Sequence, residues 1–406
     1  MPEHRVGIIG AGIVGLAVAR RIVELFPGLQ VTVLEKENRV AAHQTGHNSG
    51  VVHAGLYYQP GSLKATLCRR GVGLLREYCE QKSLPYDECG KLVVALDESQ
   101  RPGLDRIHAR ATENGVPDLR LVDAAGLREI EPHAAGVAAL FSPRTAITDY
   151  TAVTQAFADD LTSGGGTIKF GFAVQGITQR AGTVTVRSGP LDLTFDQLVI
   201  CAGLQSDRVA GWAGDDPSPA IVPFRGEYFR LRPDRAHLVR GLIYPIPDPA
   251  YPFLGVHFTK RVNGAVDLGP NAVLAWAREG YTRSTINPRE LLETLRWPGM
   301  RKLARQHWRT GAQELAGSLS TSLYLRFARR YVPEVTAADL ERAPAGVRAQ
   351  AVDRDGSLVD DFRISQLDRV MAVRNAPSPA ATSSLAIAEH LTELLRPGLT
   401  RPPGRL

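Results

Sequence analysis

Two histidines occupy segments in which an imidazole could take a proton from a substrate. His53 stands in a glycine-rich stretch, and His257 alternates with apolar residues over 254–259. Histidine is the commonest general base in enzymes, because its neutral form is abundant near neutral pH. We predict His53 as the catalytic base and His257 as the second candidate, and we also expect His257 to contact the substrate. The alternatives are a structural histidine at either position, or a covalent link from His53 to a cofactor.

Two arginines are placed to bind a carboxylate. Arg225 begins a predicted strand, and Arg348 lies in a predicted hairpin over 346–361. A guanidinium holds a carboxylate through two parallel hydrogen bonds, so we predict that both bind an acidic substrate and that Arg348 also belongs to the catalytic group. A structural ion pair is the alternative for each arginine. We expect Tyr228 and Tyr244 to close the same pocket, although aromatic residues are more often part of a core.

These side chains need a scaffold, and the N-terminal stretch predicts one. From position 6 the chain reads Val-Gly-Ile-Ile-Gly-Ala-Gly-Ile-Val-Gly, an apolar strand that runs into Gly-x-Gly-x-x-Gly and a helix. Gly10 permits the tight turn, Gly12 lets a pyrophosphate approach the backbone, and Gly15 lets the helix pack on the strand. Ile13 and Val14 belong to the first helical turn, whose N–H groups favour a phosphate. The pattern predicts a dinucleotide-binding site.

An acid follows at the position that such a site requires. A second predicted strand over 30–34 ends at Glu35, which stands 20 residues after Gly15. An acid at this spacing accepts hydrogen bonds from the ribose of adenosine, and we expect Lys36 beside it. The alternative is a strand–turn–helix unit without a ligand, which the complete context argues against.

Further candidates for cofactor binding share small side chains or hydroxyl and amide groups. They are Thr45, Gly46, Asn48, Ser49 and Gly50 in the glycine-rich loop, Cys201, Ala202 and Gly203 at the end of an apolar strand, and Ser383 and Ser384 at the start of the last predicted helix. Val174, after a short strand, is a candidate by analogy of position alone, with its backbone beside the adenine. The N-terminus of that helix could stabilise negative charge on a cofactor. A plain helix cap is the alternative for the two serines.

Length, charge and cysteine content restrict the class of protein. The chain has 406 residues, and 48 basic against 42 acidic residues give a net charge of +6. This mild excess suits anionic ligands and is too diffuse for nucleic acid. The four cysteines show no metal-binding spacing, so we expect reduced thiols and no metal site. We also expect no signal peptide and no membrane-spanning segment, which predicts a cytoplasmic protein.

The order of predicted elements indicates an α/β fold class. We predict a Rossmann-type domain with a doubly wound sheet and an inserted antiparallel α+β substrate domain, which the short aromatic-rich strands over 222–274 indicate. The predicted dinucleotide-binding domain comprises 1–85, 146–215 and 340–400, the substrate domain comprises 86–145 and 216–339, and 401–406 form a flexible tail.

Six longer motifs identify a family. They are HQTGHNSGVVHAGLYYQPGSLKA (43–65), IVPFRGEYFRL (221–231), IYPIPDPAYPFLGVHFTK (243–260), GPNAVLA (269–275), AGVRAQAVDRDGSLVDDF (345–362) and NAPSPAATSSLAI (375–387). With this ordered set the chain resembles the FAD-dependent L-2-hydroxyglutarate oxidases and dehydrogenases, which belong to the D-amino-acid-oxidase-like flavoproteins.

The resemblance implies that non-covalent FAD takes a hydride at N5 from the alcohol carbon of L-2-hydroxyglutarate, which becomes 2-oxoglutarate. Oxygen or a membrane acceptor such as a quinone would then receive the electrons. One alternative is an oxidase of another 2-hydroxy acid, an amino acid or an amine. A second alternative is a non-catalytic dinucleotide-binding module.

The predicted basic helical region over 301–330 bears on location. A solvated face is the simpler interpretation, and docking on an anionic membrane at its inner face is the alternative. The sequence leaves the oligomeric state open.

Overall fold

The computed structural model describes residues 4–247 and 255–400. The strands are β1 (Arg5–Ile9), β2 (Gln30–Leu34), β3 (Val51–Val52), β4 (Tyr86–Asp87), β5 (Lys91–Ala95), β6 (Arg120–Asp123), β7 (Ala138–Ser142), β8 (Ala146–Thr148), β9 (Thr167–Lys169), β10 (Gly176–Arg180), β11 (Thr183–Ser188), β12 (Leu191–Phe195), β13 (Gln197–Ile200), β14 (Ala220–Leu231), β15 (Leu242–Pro245), β16 (His257–Lys260), β17 (Val266–Gly269), β18 (Val273–Leu274), β19 (Leu340–Val352), β20 (Arg363–Leu367) and β21 (Val370–Asn375). The helices are α1 (Ile13–Leu25), α2 (Leu63–Gln81), α3 (Arg101–Glu113), α4 (Ala124–Ile130), α5 (Tyr150–Ser163), α6 (Ser206–Trp212), α7 (Pro288–Arg296), α8 (Pro298–Leu319), α9 (Thr321–Ala328) and α10 (Ser384–Leu399).

The first sheet is built around the glycine motif. Its strand order is β20-β21-β13-β1-β2-β9, and β1 pairs in parallel with β2 and β13. Successive β1 residues point to opposite faces, so Ile8 joins a core with α1, α5 and α10, whereas Ile9 joins a second core with α6 and β10–β12. Both faces are covered, which explains why β1 reads as a nearly continuous apolar run. The predicted α/β fold is confirmed.

The second sheet is mixed and largely antiparallel. Its strand order is β18-β14-β17-β16-β15-β5-β7-β6, with β19 paired to β14. Its pairs are antiparallel except for β15 with β5. Phe229, Phe258 and Leu268 from this sheet pack against Tyr324 and Ala328 of α9 in a core of their own. The two sheets therefore have separate cores.

Strand β19 is longer than the predicted hairpin and has an unexpected partner. The hairpin turn itself is present, since the N–H of Gly356 donates to the carbonyl of Asp353 at 3.0 Å. However, β19 begins at Leu340 and pairs with β14 along its whole length. The sequence assigns 340–400 to the dinucleotide domain, whereas this ladder places 340–352 in the second sheet, because a strand pattern does not specify its partner. The remaining domain boundaries stay predictions.

One predicted helical region is divided in two, and two other predicted segments lie partly or wholly outside the described residues. The helical region predicted over 301–330 divides between α8 and α9. Helix α10 continues through Pro397 to Leu399, because Leu395 and Leu399 are buried in the core beside α1. Part of the aromatic-rich region over 222–274, and the predicted tail over 401–406, lie outside the described residues.

Candidate active site

A cavity of about 800 Å³ lies between the two sheets. One wall comes from the first sheet and includes the glycine motif and Glu35. The opposite wall comes from the second sheet and includes Tyr228, His257 and Arg348, with His53 also on the lining. The volume is in the usual range for a cofactor site, and many but not all of the residues predicted for the site line it.

The three glycines of the motif are required for different steric reasons. Gly10 has φ +103°, and a Cβ there would stand 2.5 Å from the carbonyl oxygen of Cys201. A Cβ on Gly15 would collide with the carbonyl oxygen of Gly10. Gly12 is different, because its nearest neighbour would be the Thr45 hydroxyl at 3.4 Å, and the space beyond is the cavity. Gly12 also precedes the first turn of α1, where Ile13 and Val14 line the cavity. Bare backbone thus faces the place where a pyrophosphate would lie.

Glu35 and Thr45 hold this turn in place. The buried Glu35 carboxylate accepts the N–H of Ala11 at 2.8 Å and the N–H of Glu37 at 2.9 Å. The Thr45 hydroxyl accepts the N–H of Ile13 at 3.1 Å. Glu35 still lines the cavity and retains acceptor capacity, since each carboxylate oxygen has two lone pairs. It can therefore both brace the turn and accept a ribose hydroxyl.

An ion-pair network beside Glu35 joins segments that lie far apart in the sequence. The Lys36 ammonium donates to Glu279 at 2.7 Å and to Glu37 at 2.9 Å, and the His43 imidazole lies 2.8 Å from Glu37. Tyr281 stacks on His47 with ring centres 4.1 Å apart. Sequence reasoning singled out Lys36 and missed its partners, because Glu279 lies 243 residues away and carries no local signal.

The other predicted cofactor residues divide into two groups. Those that line the cavity are Asn48, Ser49, Val174, Cys201, Ala202 and Gly203. Gly46 and Gly50 are not on the lining, and they shape the loop instead. Gly50 has φ +74°, and its N–H donates to the Asn48 side chain at 2.8 Å.

Ser383 and Ser384 are buried away from the cavity lining. A Cβ on Gly71 of α2 would lie 2.7 Å from the Ser383 Cα, so tight helix packing explains the small side chains here. The Ser383 hydroxyl makes no capping hydrogen bond to α10. The preceding residue, Thr382, does line the cavity, and its hydroxyl accepts the backbone N–H of His53 at 3.1 Å. Sequence reasoning did not identify Thr382 as a site residue.

His257 is a buried imidazole with a fixed tautomer. Its Nδ1 lies 2.7 Å from the carbonyl oxygen of Gly255, and because a carbonyl only accepts, Nδ1 carries the proton. Its Nε2 is therefore a proton acceptor. Burial lowers the pKa of His257 to about 3, and the nearby cations Lys91 and Arg348 contribute to this decrease against the opposing effect of the Gly255 hydrogen bond.

His53 is the second neutral imidazole on the cavity lining. Burial lowers the pKa of His53 to about 3, and Lys91 is the charged group that contributes most to the decrease after burial. The Nε2 atom lies 3.4 Å from the Ser378 hydroxyl. Both imidazoles are unprotonated at neutral pH, which is the state that can accept a substrate proton.

The two predicted carboxylate-binding arginines are placed differently. Arg348 of β19 lines the cavity, and burial lowers its pKa. Arg225 is buried off the lining, donates to Glu227 at 3.1 Å and donates to the carbonyl of Thr282 at 3.2 Å. The ion pair that we weighed as the alternative for Arg225 is thus present. Tyr228 lines the cavity, whereas Tyr244 lies off the lining and stacks on His257 with ring centres 3.9 Å apart.

Lys91 is a buried cation that sequence reasoning passed over. It is 2% exposed, and its ammonium lies 3.7 Å from the ring centre of Tyr244 and 4.6 Å from that of Tyr57. Burial lowers the pKa of Lys91 to about 7. The signal in the sequence is a single lysine in the otherwise apolar strand over 91–95. Lysine is almost never fully buried unless it is paired, so a lysine in a buried strand is unusual.

Comparison with known proteins agrees with this geometry. The model of the family "FAD dependent oxidoreductase" matches residues 5–394. The mitochondrial L-2-hydroxyglutarate dehydrogenase of Caenorhabditis elegans is 47% identical, with 97% of this chain and 93% of that protein covered. The human mitochondrial enzyme of the same name is 44% identical, with 95% and 87% covered. The L-2-hydroxyglutarate dehydrogenase of Escherichia coli is 42% identical, with 98% and 95% covered.

A solved structure shows the same fold. L-alpha-glycerophosphate oxidase from Mycoplasma pneumoniae, with FAD bound, superposes with a TM-score of 0.79 at 20% identity, covering 100% of this chain and 97% of that one. Together with the bare-backbone turn and the braced acid beside it, these matches confirm the predicted family and the FAD cofactor. The chain belongs to the FAD dependent oxidoreductases and, within them, to the family of the L-2-hydroxyglutarate dehydrogenases.

Proposed function

We propose that this protein oxidises L-2-hydroxyglutarate to 2-oxoglutarate. The observation that carries the proposal is the meeting of two unprotonated imidazoles, His53 and His257, with the Arg348 guanidinium on one cavity that also holds the glycine turn. Alcohol oxidation needs a proton acceptor, and an acidic substrate needs a guanidinium that binds carboxylate. The relatives at 42–48% identity are named L-2-hydroxyglutarate dehydrogenases, which supports the choice of hydroxy acid.

FAD, when bound, supplies the hydride acceptor for the alcohol carbon. In the proposed reaction His53 takes the hydroxyl proton, forming an N–H bond as the O–H bond breaks. Its backbone N–H donates to the Thr382 hydroxyl, just before the N-terminus of α10, the helix end that is predicted to stabilise negative charge on the cofactor. Arg348 binds a substrate carboxylate in two parallel hydrogen bonds and so orients the alcohol.

His257 is the second candidate for the base, and its fixed tautomer favours it. Because Nδ1 donates to Gly255, the Nε2 atom can only accept. The comparison of His53→Asn with His257→Asn decides between them. In the variant that lacks the base, the rate at which substrate reduces the flavin should fall about a hundredfold or more, with FAD content unchanged. Equal and small losses in both variants would contradict either assignment.

The direct test is an anaerobic titration of the purified yellow protein. L-2-hydroxyglutarate should bleach the flavin absorbance, whereas the D-isomer, L-lactate and L-glutamate should not. Bleaching by L-glutamate with ammonia release would instead indicate an amino-acid oxidase. A spectrum that none of these compounds changes would contradict the proposed substrate and favour a binding module.

We also propose that a quinone at an anionic membrane surface receives the electrons, with oxygen as the alternative acceptor. Four exposed apolar side chains lie on α7 or on the chain that leads into it, where the N–H of Asn287 donates to the Trp276 carbonyl at 3.0 Å. They are Trp276, Ile286, Leu292 and Leu295, each 46–51% exposed. The exposed Arg289 and Arg296 flank them, a combination typical of peripheral membrane contact.

Liposome flotation tests this membrane contact. The holoenzyme should float with anionic vesicles at low salt, and a variant carrying both Leu292→Ser and Leu295→Ser should not. Absence of flotation for the parent protein would leave a cytoplasmic oxidase that uses oxygen. Within the described residues, no helix is both long and apolar enough to cross a bilayer.

A further inference from the structure

Asn271 is a buried amide on the cavity wall that the proposed reaction does not use. It lines the cavity, is 6% exposed and stands two residues after the end of β17. Sequence reasoning did not identify it as a site residue. A polar side chain that is buried needs hydrogen-bond partners, so the partners of this amide indicate its role.

Strand pairing places Asn271 among the residues that we propose to act on the substrate. His257 pairs with Gly269, at the end of the strand that leads into Asn271. On the other side, a Cβ on Gly226 of β14 would lie 2.8 Å from the side chain of the residue before Asn271, so this segment packs directly on β14. Strand β14 in turn pairs with β19, which carries Arg348. Asn271 thus belongs to the same cavity wall as His257 and Arg348.

Glu227 fixes the orientation of the Asn271 amide. The backbone N–H of Glu227 donates to Oδ1 of Asn271 at 2.8 Å, and because an N–H requires an acceptor, this atom is the oxygen. The Glu227 carboxylate lies 3.5 Å from Nδ2, which agrees with the same assignment. The opposite assignment would set an N–H against an N–H and a carbonyl against a carboxylate. The amide is therefore held with its oxygen turned to the backbone of β14.

The Nδ2 group of Asn271 keeps donor capacity for a ligand. An amide has two N–H bonds, and among the described residues the acceptor recorded for them is the Glu227 carboxylate at 3.5 Å. Shorter contacts already occupy that carboxylate, from Arg225 at 3.1 Å, from Arg283 at 2.7 Å and 2.8 Å, and from the Ser318 hydroxyl at 2.6 Å. At least one N–H of this amide therefore has no acceptor within the described part of the chain, on a side chain that lines the cavity.

We propose that Asn271 is a substrate-binding residue whose Nδ2 group donates a hydrogen bond to a carboxylate of the hydroxy acid. The proposal rests on the proposed function and deepens it. Glu227, together with the arginines and the serine that bind it, holds the amide in a fixed orientation, so the donor is in place before the substrate arrives. A hydrogen bond to a charged acceptor is stronger than one between neutral groups, so a carboxylate is the ligand group that gains most from this donor.

Titration with glutarate, an unreactive dicarboxylate, measures this contact. Its dissociation constant for the oxidised holoenzyme follows from the change in flavin absorbance. Asn271→Ala should raise that constant about tenfold or more, because it removes the donor. Asn271→Asp keeps the acceptor for the Glu227 N–H and replaces the donor with a negative oxygen, so it should raise the constant further. Both variants should raise KM for L-2-hydroxyglutarate more than they lower kcat.

Ser318→Ala is the matched control. It removes a hydrogen bond to the same Glu227 carboxylate from a residue off the cavity lining, so it loosens the cluster and leaves the proposed donor in place. Its dissociation constant for glutarate should stay within about twofold of the parent value. Equal increases for Ser318→Ala and Asn271→Ala, or no increase for Asn271→Ala, would overturn the proposal.

A crystal structure of the parent holoenzyme with glutarate gives a measurement that needs no variant. A carboxylate oxygen should lie within about 3.2 Å of Nδ2, while Oδ1 keeps the N–H of Glu227. This distance decides the question if neither Asn271 variant retains FAD. Glutarate bound in the cavity with no oxygen within about 4 Å of Nδ2 would contradict the proposed contact.

The outcomes separate this inference from the proposed function. If L-2-hydroxyglutarate does not reduce the parent protein, the proposed function fails, and glutarate binding that is weakened in Asn271→Ala would still support the carboxylate contact. If the parent protein is reduced, and Asn271→Ala keeps the parent KM and the parent dissociation constant for glutarate, the inference about Asn271 fails alone. A parent protein that is not reduced and binds no glutarate contradicts both.

Discussion

The carboxylate of Glu35 accepts the N–H of Ala11 at 2.8 Å, and so ties the end of β2 to the glycine turn at the end of β1. The acid that the spacing predicts for a ribose is therefore also a brace for the turn that receives the phosphates. This double use makes the cofactor site and the fold depend on one side chain.

Replacing Glu35 should weaken FAD binding and destabilise the protein together. Glu35→Ala leaves the buried N–H of Ala11 and that of Glu37 without their acceptor, which costs about 1–3 kcal/mol for each group. Glu35→Gln retains the shape and one carbonyl acceptor, so its loss should be smaller. Fluorescence titration with FAD and thermal unfolding of the apoprotein measure the two effects. Unchanged unfolding of the alanine variant would contradict the bracing role.

Comparison of Gly10 with Gly28 separates the effect of backbone strain from the effect of a steric collision. Both have positive φ, at +103° and +109°. A Cβ on Gly10 would meet the Cys201 carbonyl, whereas a Cβ on Gly28 would meet nothing within 4 Å. Gly28→Ala should cost about 1–2 kcal/mol and retain FAD, because it adds conformational strain alone. Gly10→Ala should lose FAD, and equal FAD content in the two purified variants would contradict this explanation.

The buried His257 should make stability fall as the pH is lowered. Its pKa is about 3 in the folded protein and near 6.5 in the unfolded chain, so between these values the unfolded chain binds the extra proton. Its contribution is complete above about pH 6.5 and decreases by about 1.4 kcal/mol per pH unit below that. Urea unfolding at about pH 7 and pH 5 should show a steeper loss for the parent than for His257→Asn. His307→Asn, at an exposed position, should keep the parent slope.

The two arginines give opposite expectations for a conservative change. Arg348→Lys should raise KM for L-2-hydroxyglutarate about tenfold or more with kcat less affected, because lysine lacks the paired donors that hold a carboxylate. Arg225→Lys should leave KM within about twofold and lower the unfolding temperature, since Arg225 donates to Glu227 and Thr282 off the cavity lining. Steady-state kinetics of both variants at several substrate concentrations provides the comparison. A KM raised in Arg225→Lys and not in Arg348→Lys would indicate that Arg225, and not Arg348, binds the substrate carboxylate.

The sequence by itself determined the features that short spacings encode. The turn at Gly10, the helix start after Gly12 and the acid at Glu35 are local backbone requirements, and they appear where the spacing predicts them. The N-cap of α2 at Ser62 is another local feature, with its hydroxyl accepting the N–H of Ala65 at 3.2 Å. Family motifs spread over the chain then predicted the FAD cofactor and the reaction.

Tertiary structure decided which long-range partners meet. Arg225 and Arg348 look alike in sequence, but a glutamate two residues away pairs with Arg225, whereas the β14–β19 ladder brings Arg348 to the cavity. Lys91 reads as one polar residue in a buried strand, and only the packing of β5 beside β15 places it on the Tyr244 ring. A side chain's charge state and role depend on burial and on neighbours that are distant along the chain, and local spacing carries no record of either.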